Sequence, residues 1–333
     1  MLKTRRAPTF DSLSQLFAAV RTTRIEALAA VPGALSVPNA EVATATGVTE
    51  EWILKRIGIR ERCVAPPEQR LWELAAEAGR AALARAAADP DSLDLILVAT
   101  CTHDHIMPSA AALVSAALDA QRAATMDVNS VCNGFLCAMS MGAGAIESGR
   151  SKRALVIAAD MLSRFVDRTD RRTAPVFGDA AGAVVLSRDS GMARVGAHVL
   201  RSDGRCADAI RCPADGKMHM EGEQTYRHAV DRMSEATCDV LERARLELDD
   251  IDLFVYHQAN VRILNALATR LALAPDRVLN AMTFTGNTSA ASIPLALAQA
   301  EAQGRLKPGT RVLAGGFGSG FSYGAMIIEW EAV

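Results

Sequence analysis

Short apolar runs rich in β-branched residues alternate along this chain with alanine-rich segments of helical spacing, and that alternation constrains the fold more than any other feature. The runs "DLILVATCT", "RALVIAAD", "GAVVLSR", "IDLFVYHQ" and "RVLAGGFG" read as buried strands. Between them, "RLWELAAEAGRAALARAAA", "AALVSAALDA", "QTYRHAVDRMSEATCDVLERARLEL" and "VRILNALATRLAL" carry the periodicity of helices. The order implies an α/β protein with mixed or mainly parallel sheets. A looser symmetry relates two stretches, because helix, acidic turn, "D-L" strand and loop follow one another through "DPDSLDLILVAT" and again through "ERARLELDDIDLFVYHQAN". Two related βαβ-type halves are expected, 23–190 and 191–333, joined near "SRDSGMARVGAHV".

Half of the 333 residues are hydrophobic and 22% are charged, enough apolar mass for one large core or two closely packed ones. A net charge of −2 with both signs interspersed lacks the one-sided basic field of a nucleic-acid binder. The seven cysteines (Cys63, Cys101, Cys132, Cys137, Cys206, Cys212 and Cys238) are odd in number and scattered, which points to reduced thiols in a cytoplasmic setting. The N-terminal "MLKTRRAPTFDSLSQLFAAV" has no signal-peptide core, since Asp11, Ser12, Ser14 and Gln15 interrupt it. No segment reaches the roughly 20 apolar residues of a membrane helix.

Cys132 stands where the strand-like "ATMDVNSV" gives way to the helical "GFLCAMSMGAGAIESG". A helix start favours a thiolate, the reactive form of cysteine, whereas inert core packing is the ordinary fate of a cytosolic cysteine. Cys137, further into the same helix, fits core packing. His257 in "YHQAN" follows the strand "DLFVY", at the strand end where α/β sheets place their sites, although a loop histidine is often structural. His103 and His105 in "CTHDHIMPSA" are a weak metal pattern, with no distant ligand pair, and no metal is expected. In "FTGNTSAASIP", Asn287 either caps a helix or presents its amide to a pocket. The segment "AGGFGSGFSYGA" is too glycine-rich for an ordinary strand pair and would let a ligand approach the backbone. It is no P-loop, because no Gly-Lys-Ser/Thr follows.

Together "DVNSVCNGF", "FGDAAGAVVL", "HQANVRI", "GNTSAAS" and "GFGSGFSYG", with "TEEWILKRIGIRERCVAPPE" upstream, resemble the β-ketoacyl-acyl-carrier-protein synthase III family of condensing enzymes from about Thr23 onward. The resemblance implies a thiolase fold, its two halves packed as a five-layered α-β-α-β-α core, with 1–22 as an N-terminal extension. It implies that Cys132 takes up the acyl group, while His257 and Asn287 promote decarboxylation of a malonyl thioester and hold the enolate oxygen. The backbone amides of Cys132 and Ser319 would form the oxyanion hole. Trp52, Arg56 and Arg171 match positions that clasp the adenine and phosphates of coenzyme A, Asn260 lies along the pantetheine arm, and Arg262 matches a carrier-protein docking residue. Acyl-CoA is then a substrate and no cofactor is permanently bound. The family's homodimer would let Met107 reach across to close the neighbour's acyl pocket, where an aromatic residue is common.

The implied reaction is a decarboxylative Claisen condensation of an acyl-CoA starter with malonyl-acyl carrier protein, or malonyl-CoA, in fatty-acid or polyketide initiation. Covalent capture on Cys132 splits one hard step into two easier ones, and two neutral donors suit a developing enolate. The alternatives are an acyltransferase acting on a non-malonyl acceptor, a cysteine hydrolase, and a non-catalytic partner subunit. Relatives of the first kind tend to lose the asparagine, the second needs an acidic partner for His257, and the third typically lacks the nucleophile. Ser319 replaces a common glycine and requires a compatible backbone angle.

Overall fold

The computed structural model describes residues 22–213 and 216–332, so residues 1–21 of the expected extension lie outside the described residues. In chain order the first half comprises β1 (Arg24–Pro32), β2 (Leu35–Pro38), α1 (Asn39–Thr46), α2 (Glu50–Ile57), β3 (Glu61–Val64), α3 (Leu71–Arg85), β4 (Leu95–Ala99), α4 (Ala110–Ala117), β5 (Ala124–Val128), α5 (Gly134–Glu147), β6 (Arg153–Met161) and β7 (Asp179–Ser187). The second comprises β8 (Ala193–Ser202), β9 (Ile210–Arg211), β10 (His219–Met220), α6 (Gly222–Ala244), β11 (Leu253–Tyr256), α7 (Val261–Arg270), α8 (Ser292–Ala302), β12 (Arg311–Gly318) and β13 (Ser322–Trp330).

Nine strands follow the order β11-β12-β13-β8-β1-β7-β6-β4-β5. The two half-sheets meet only at the start of β1, where Arg24 faces Arg194 and Ile25 faces Ala193. Within the first, β4 runs parallel to β5 and β6, and β7 is antiparallel to β6 and β1. Within the second, β11 runs parallel to β12, and β13 is antiparallel to β12 and β8. Each half therefore repeats one pattern, β1-β7-β6-β4 against β8-β13-β12-β11. The place of β5 is taken in the second half by a single parallel bridge between Phe254 and Val278.

Three apolar cores separate the layers. The central one unites Phe135, Leu136 and Met139 of α5 with Ile293, Ala296 and Leu297 of α8, between Val156 and Val184 on one half-sheet and Val312 and Met326 on the other. The outer cores pack α3 and α4 on the first half-sheet and α6 and α7 on the second. Buried on both faces, β4, β6 and β7 have no polar alternation, as their sequences predict. Among the described residues no helix is long and apolar enough to cross a membrane.

The glycine-rich segment is a strand pair after all, and its "RVLAGGFG" part is a strand as expected. It forms the antiparallel pair β12 and β13, with only Ser319–Phe321 as the turn between them. Its glycines answer to protein neighbours. A Cβ on Gly315 would meet the Tyr256 ring at 2.8 Å, and one on Gly318 would meet Ser130 O at 2.7 Å and Cys132 N at 3.0 Å.

Candidate active site

Cys132 occupies a 3-10 turn, Val131–Asn133, between β5 and the first residue of α5. Val131 has φ 47°, a conformation that β-branched residues avoid, so the turn is held by its surroundings rather than by local preference. Asn133 Nδ2 donates to Ser322 Oγ at 2.9 Å, and Ser130 Oγ donates to the same oxygen at 2.6 Å, which ties the turn to β13. Cys137 receives only a 3.7 Å contact from Asn133 Nδ2, in keeping with a packing role. The helix start at Cys132 was expected to lower its pKa. Enclosure reverses the sign, because burial pushes the thiol up to about 12, against a smaller opposing effect of the Ser289 hydroxyl.

His257 follows β11 directly, and its N–H donates to Gly315 O at 2.7 Å. The ring is 1% exposed, lies edge-on to Phe317 at 5.5 Å, and is brought by burial down to about 3, so it is neutral at physiological pH. Nδ1 sits 2.6 Å from Ser292 Oγ at the start of α8. That oxygen also accepts from Gln258 N–H at 3.4 Å, which fixes the hydroxyl beside the ring. Asn287 is anchored by its backbone, donating to Val176 O at 2.9 Å and accepting from Gly178 N at 3.0 Å. Its Oδ1 accepts from Ser289 N–H at 2.9 Å, so Nδ2 is the group free to face a ligand.

Cys132, His257 and Asn287 converge on one cavity of about 630 Å³. Trp52, Arg56, Arg171, Asn260, Arg262 and Ser319 line it as well. Thr49 caps α2 by accepting from Trp52 N at 3.0 Å, and one helical turn then sets Arg56 over the indole at 5.7 Å from its centroid. Asn260 caps α7 through Oδ1, and Arg262 lies over the Tyr226 ring at 5.5 Å. Ser319 does not need the left-handed backbone that its glycine-like position raised as a concern. The positive φ falls on Gly320 at 73° and Phe321 at 42°. Neither Cys132 N–H nor Ser319 N–H donates to a carbonyl in the turn and loop hydrogen bonds of the described residues. Met107 stands apart, 78% exposed beside Ile106 at 98%, and contributes nothing to its own chain's cavity.

Several contributors escaped sequence reasoning. Ser289 Oγ donates to Cys132 Sγ at 3.3 Å, Ser292 orients His257, and Arg172 adds a second cation beside Arg171 in the cavity wall. Asp160, at 0% exposure, is the lone carboxylate at the end of the apolar "ALVIAAD" run, and that isolation was its available signal. Among the described residues no group of three or more His, Cys, Asp and Glu is placed to hold a metal ion.

Two family models match, 3-oxoacyl-[acyl-carrier-protein] synthase III over residues 126–204 and its C-terminal counterpart over 241–330. A β-ketoacyl-[acyl-carrier-protein] synthase III of Cereibacter sphaeroides is 41% identical over 308 residues, covering 88% of this chain and 94% of the relative. The crystal structure of 3-oxoacyl-[acyl-carrier-protein] synthase III from Aquifex aeolicus superposes with a TM-score of 0.90 at 36% identity, covering 92% of this chain and 100% of the other. The priming β-ketosynthase of the R1128 polyketide pathway superposes with a TM-score of 0.88 at 34% identity, covering 93% and 97%. With a shared fold, coverage of nearly the whole chain and this level of identity, the chain belongs to the β-ketoacyl-acyl-carrier-protein synthase III family.

Proposed function

We propose that this enzyme condenses an acyl starter, carried in as acyl-CoA and transferred to Cys132, with malonyl-acyl carrier protein or malonyl-CoA, releasing carbon dioxide and a 3-oxoacyl thioester. The observation that carries the reading is the pair of neutral side chains that share the cavity with the thiol, the His257 imidazole and the Asn287 amide, each fixed by a hydrogen bond on one side; Nε2–H and Nδ2 are the donors proposed. Loss of carboxylate from the malonyl group leaves charge on the thioester oxygen. Donors held in place stabilise that charge without reorganisation. The Cys132 and Ser319 amides are the donors proposed for the acyl thioester oxygen.

Arg56, Arg171 and Arg172 around Trp52 supply charge and a ring face for the nucleotide end of coenzyme A, and Asn260 lies on the route inward. Arg262 at the same cavity is the proposed contact for the carrier protein. The chemistry runs on side chains and amides, with acyl-CoA as substrate and no resident cofactor. Unpaired thiols at all seven cysteines fit a reducing cytoplasm. A homodimer is proposed through β5, which among the described residues is an edge strand paired with β4 alone and exposes Met126.

Intact-mass measurement after exposure to acetyl-, isobutyryl- and octanoyl-CoA, then malonyl-CoA or malonyl-carrier protein, tests the reading. An acyl adduct that is absent from Cys132→Ala and disappears on adding the malonyl thioester is expected. An adduct that persists, or transfers without loss of carbon dioxide, would point to a non-malonyl acceptor instead.

A further inference from the structure

Arg62 lies in β3 with 2% of its surface exposed, and no step proposed above uses it. Nη1 donates to Val37 O at 3.1 Å, and Nη2 donates to Asn39 Oδ1 at 2.7 Å and to Pro175 O at 3.1 Å. All three acceptors are neutral, and Nε–H has no partner among the described residues. Burial brings the guanidinium down to a pKa of about 10, so it stays charged at neutral pH. A buried cation among neutral groups is costly to desolvate, while the hydrogen bonds it donates are strong and directional. Such a side chain fixes where its acceptors lie more than it adds stability.

What it fixes is the bed of the Asn287 turn. Pro175 precedes Val176, whose carbonyl accepts from Asn287 N–H at 2.9 Å, and Gly178 N–H donates to Asn287 O at 3.0 Å. Phe177 and Asn287 thereby form an isolated parallel bridge. The chain from 165 to 178 enters no helix or named strand, so its carbonyls are placed by contacts from elsewhere. On the other side of the turn, Arg60 N–H donates to Thr283 O at 2.8 Å and Cys63 N–H donates to Thr285 O at 3.2 Å. Between these two supports the Arg62 stem packs on Gly286, which has φ 74°. A Cβ on Gly286 would stand 2.9 Å from Arg62 Cβ, 3.1 Å from Val176 O and 3.2 Å from Gly178 N. Arg62 therefore touches the turn through its stem and, through its head, holds the residue before the turn's backbone partner.

We infer that Arg62 is a positioning residue for Asn287, setting where the Asn287 amide meets the malonyl thioester. The inference rests on the condensing role proposed above. No proton moves at Arg62, which acts through Pro175 and Val176. Without the guanidinium, Pro175 O and Asn39 Oδ1 lose their donor, the 165–178 stretch relaxes, and the Asn287 backbone that hangs from Val176 shifts with it. A displacement of about 1 Å is enough to lower a rate about 10²-fold. The Cys132 turn is tied instead to Ser322 of β13, by Ser130 Oγ at 2.6 Å and Asn133 Nδ2 at 2.9 Å. Acyl loading should therefore feel the loss of Arg62 far less than decarboxylation does.

The test compares Arg62→Gln and Arg62→Lys with wild type, and Arg62→Gln again in an Asn287→Ala background. Malonyl-CoA decarboxylation by the unacylated enzyme is read as labelled carbon dioxide. Acyl loading is read by intact mass with whichever of acetyl-, isobutyryl- and octanoyl-CoA the wild type takes fastest. In Arg62→Gln the kcat for decarboxylation should fall at least about tenfold, with KM for malonyl-CoA and the loading rate each within about threefold of wild type. Lysine keeps the charge and a shorter-reaching donor, so Arg62→Lys should lie between the two, and it carries the same comparison if Arg62→Gln does not fold. Because Arg62 acts through Asn287, Arg62→Gln should change decarboxylation by less than about twofold once Asn287 is alanine. Equal losses of loading and decarboxylation, a wild-type kcat in both variants, or losses that multiply in the double variant overturn the inference and leave Arg62 a residue of the fold alone. Decarboxylation at the wild-type rate in Asn287→Ala would instead fail the condensing role, and the inference with it.

Discussion

Replacing Asn287 with alanine removes one donor from the site and leaves the chain path in place. The backbone at this position is held on both sides, by Val176 O at 2.9 Å and by Gly178 N at 3.0 Å, and neither contact needs the side chain. The structural cost is confined to Ser289 N–H, which loses its acceptor at 2.9 Å inside the protein; a buried donor left unpaired costs about 1–3 kcal/mol. The catalytic cost is larger. Removing one oxyanion-type donor typically lowers the rate about 10²–10³-fold, or about 2.7–4 kcal/mol in the barrier. Malonyl-CoA decarboxylation and overall condensation should therefore both fall by that factor, while acylation of Cys132, which uses other donors, stays within about fivefold of wild type. Radiolabelled carbon dioxide release reads the first step, and intact mass reads the acyl adduct. Condensation within threefold of wild type, in a variant that melts as one transition, would falsify the role assigned to Asn287.

Cys137→Ala should cost about 1 kcal/mol or less and leave loading unchanged, checked by thermal unfolding and intact mass; a loss of acylation would make Cys137 part of the site. Met107→Phe should shift the order of loading rates among acetyl-, isobutyryl- and octanoyl-CoA, because a flexible thioether gives way to a rigid ring; an unmoved order sinks the idea that Met107 closes a neighbour's pocket. His257 binds no proton in the folded state until about pH 3, whereas the unfolded chain binds one below about 6.5. Its contribution is therefore complete above pH 6.5 and is lost as pH falls toward 3. The stability of wild type should drop more steeply than that of His257→Asn between pH 6.5 and 4.5 in urea titrations, and parallel curves would contradict the neutral buried ring.

The parts of the site that were legible in the sequence lie where one element changes into another. Cys132 marks the passage from β5 to α5, His257 follows β11, and Asn287 stands in the turn before α8, so pattern marked each as a candidate, and the family resemblance supplied the roles. What periodicity could not carry is the environment assembled from distant segments. The helix start at Cys132 is a local feature, but burial raises the thiol's pKa, Asp160 adds to the rise, and Ser289, 157 residues away, opposes it. Glycine content was misleading for a related reason. A glycine reports that something comes close, and only the fold shows that it is Tyr256 and the Cys132 turn that approach β12. Arg172 and Ser292 sat one and five residues from positions already singled out, yet their neighbours in space come from other elements.

The repeated topology explains why these residues meet at all. In the first half the chain leaves β5, turns through Cys132 and enters α5; in the second it leaves the Phe254–Val278 bridge, turns through Asn287 and Ser289 and enters α8. Both helices belong to the central core, and the two turns that feed them touch through the bond from Ser289 to Cys132. Each half thus delivers a helix start to the same point, one bearing Cys132, the proposed nucleophile, and the other bearing Asn287, a proposed donor. The requirement runs both ways. The second half's Ser289–Ala291 turn is held by Asp160 of the first half, and the first half's Cys132 turn is held by Ser322 of the second. Neither half can therefore hold its catalytic turn in place alone, and a substitution at Asp160 or Ser322 should be felt at the partner half's residues before it is felt at its own.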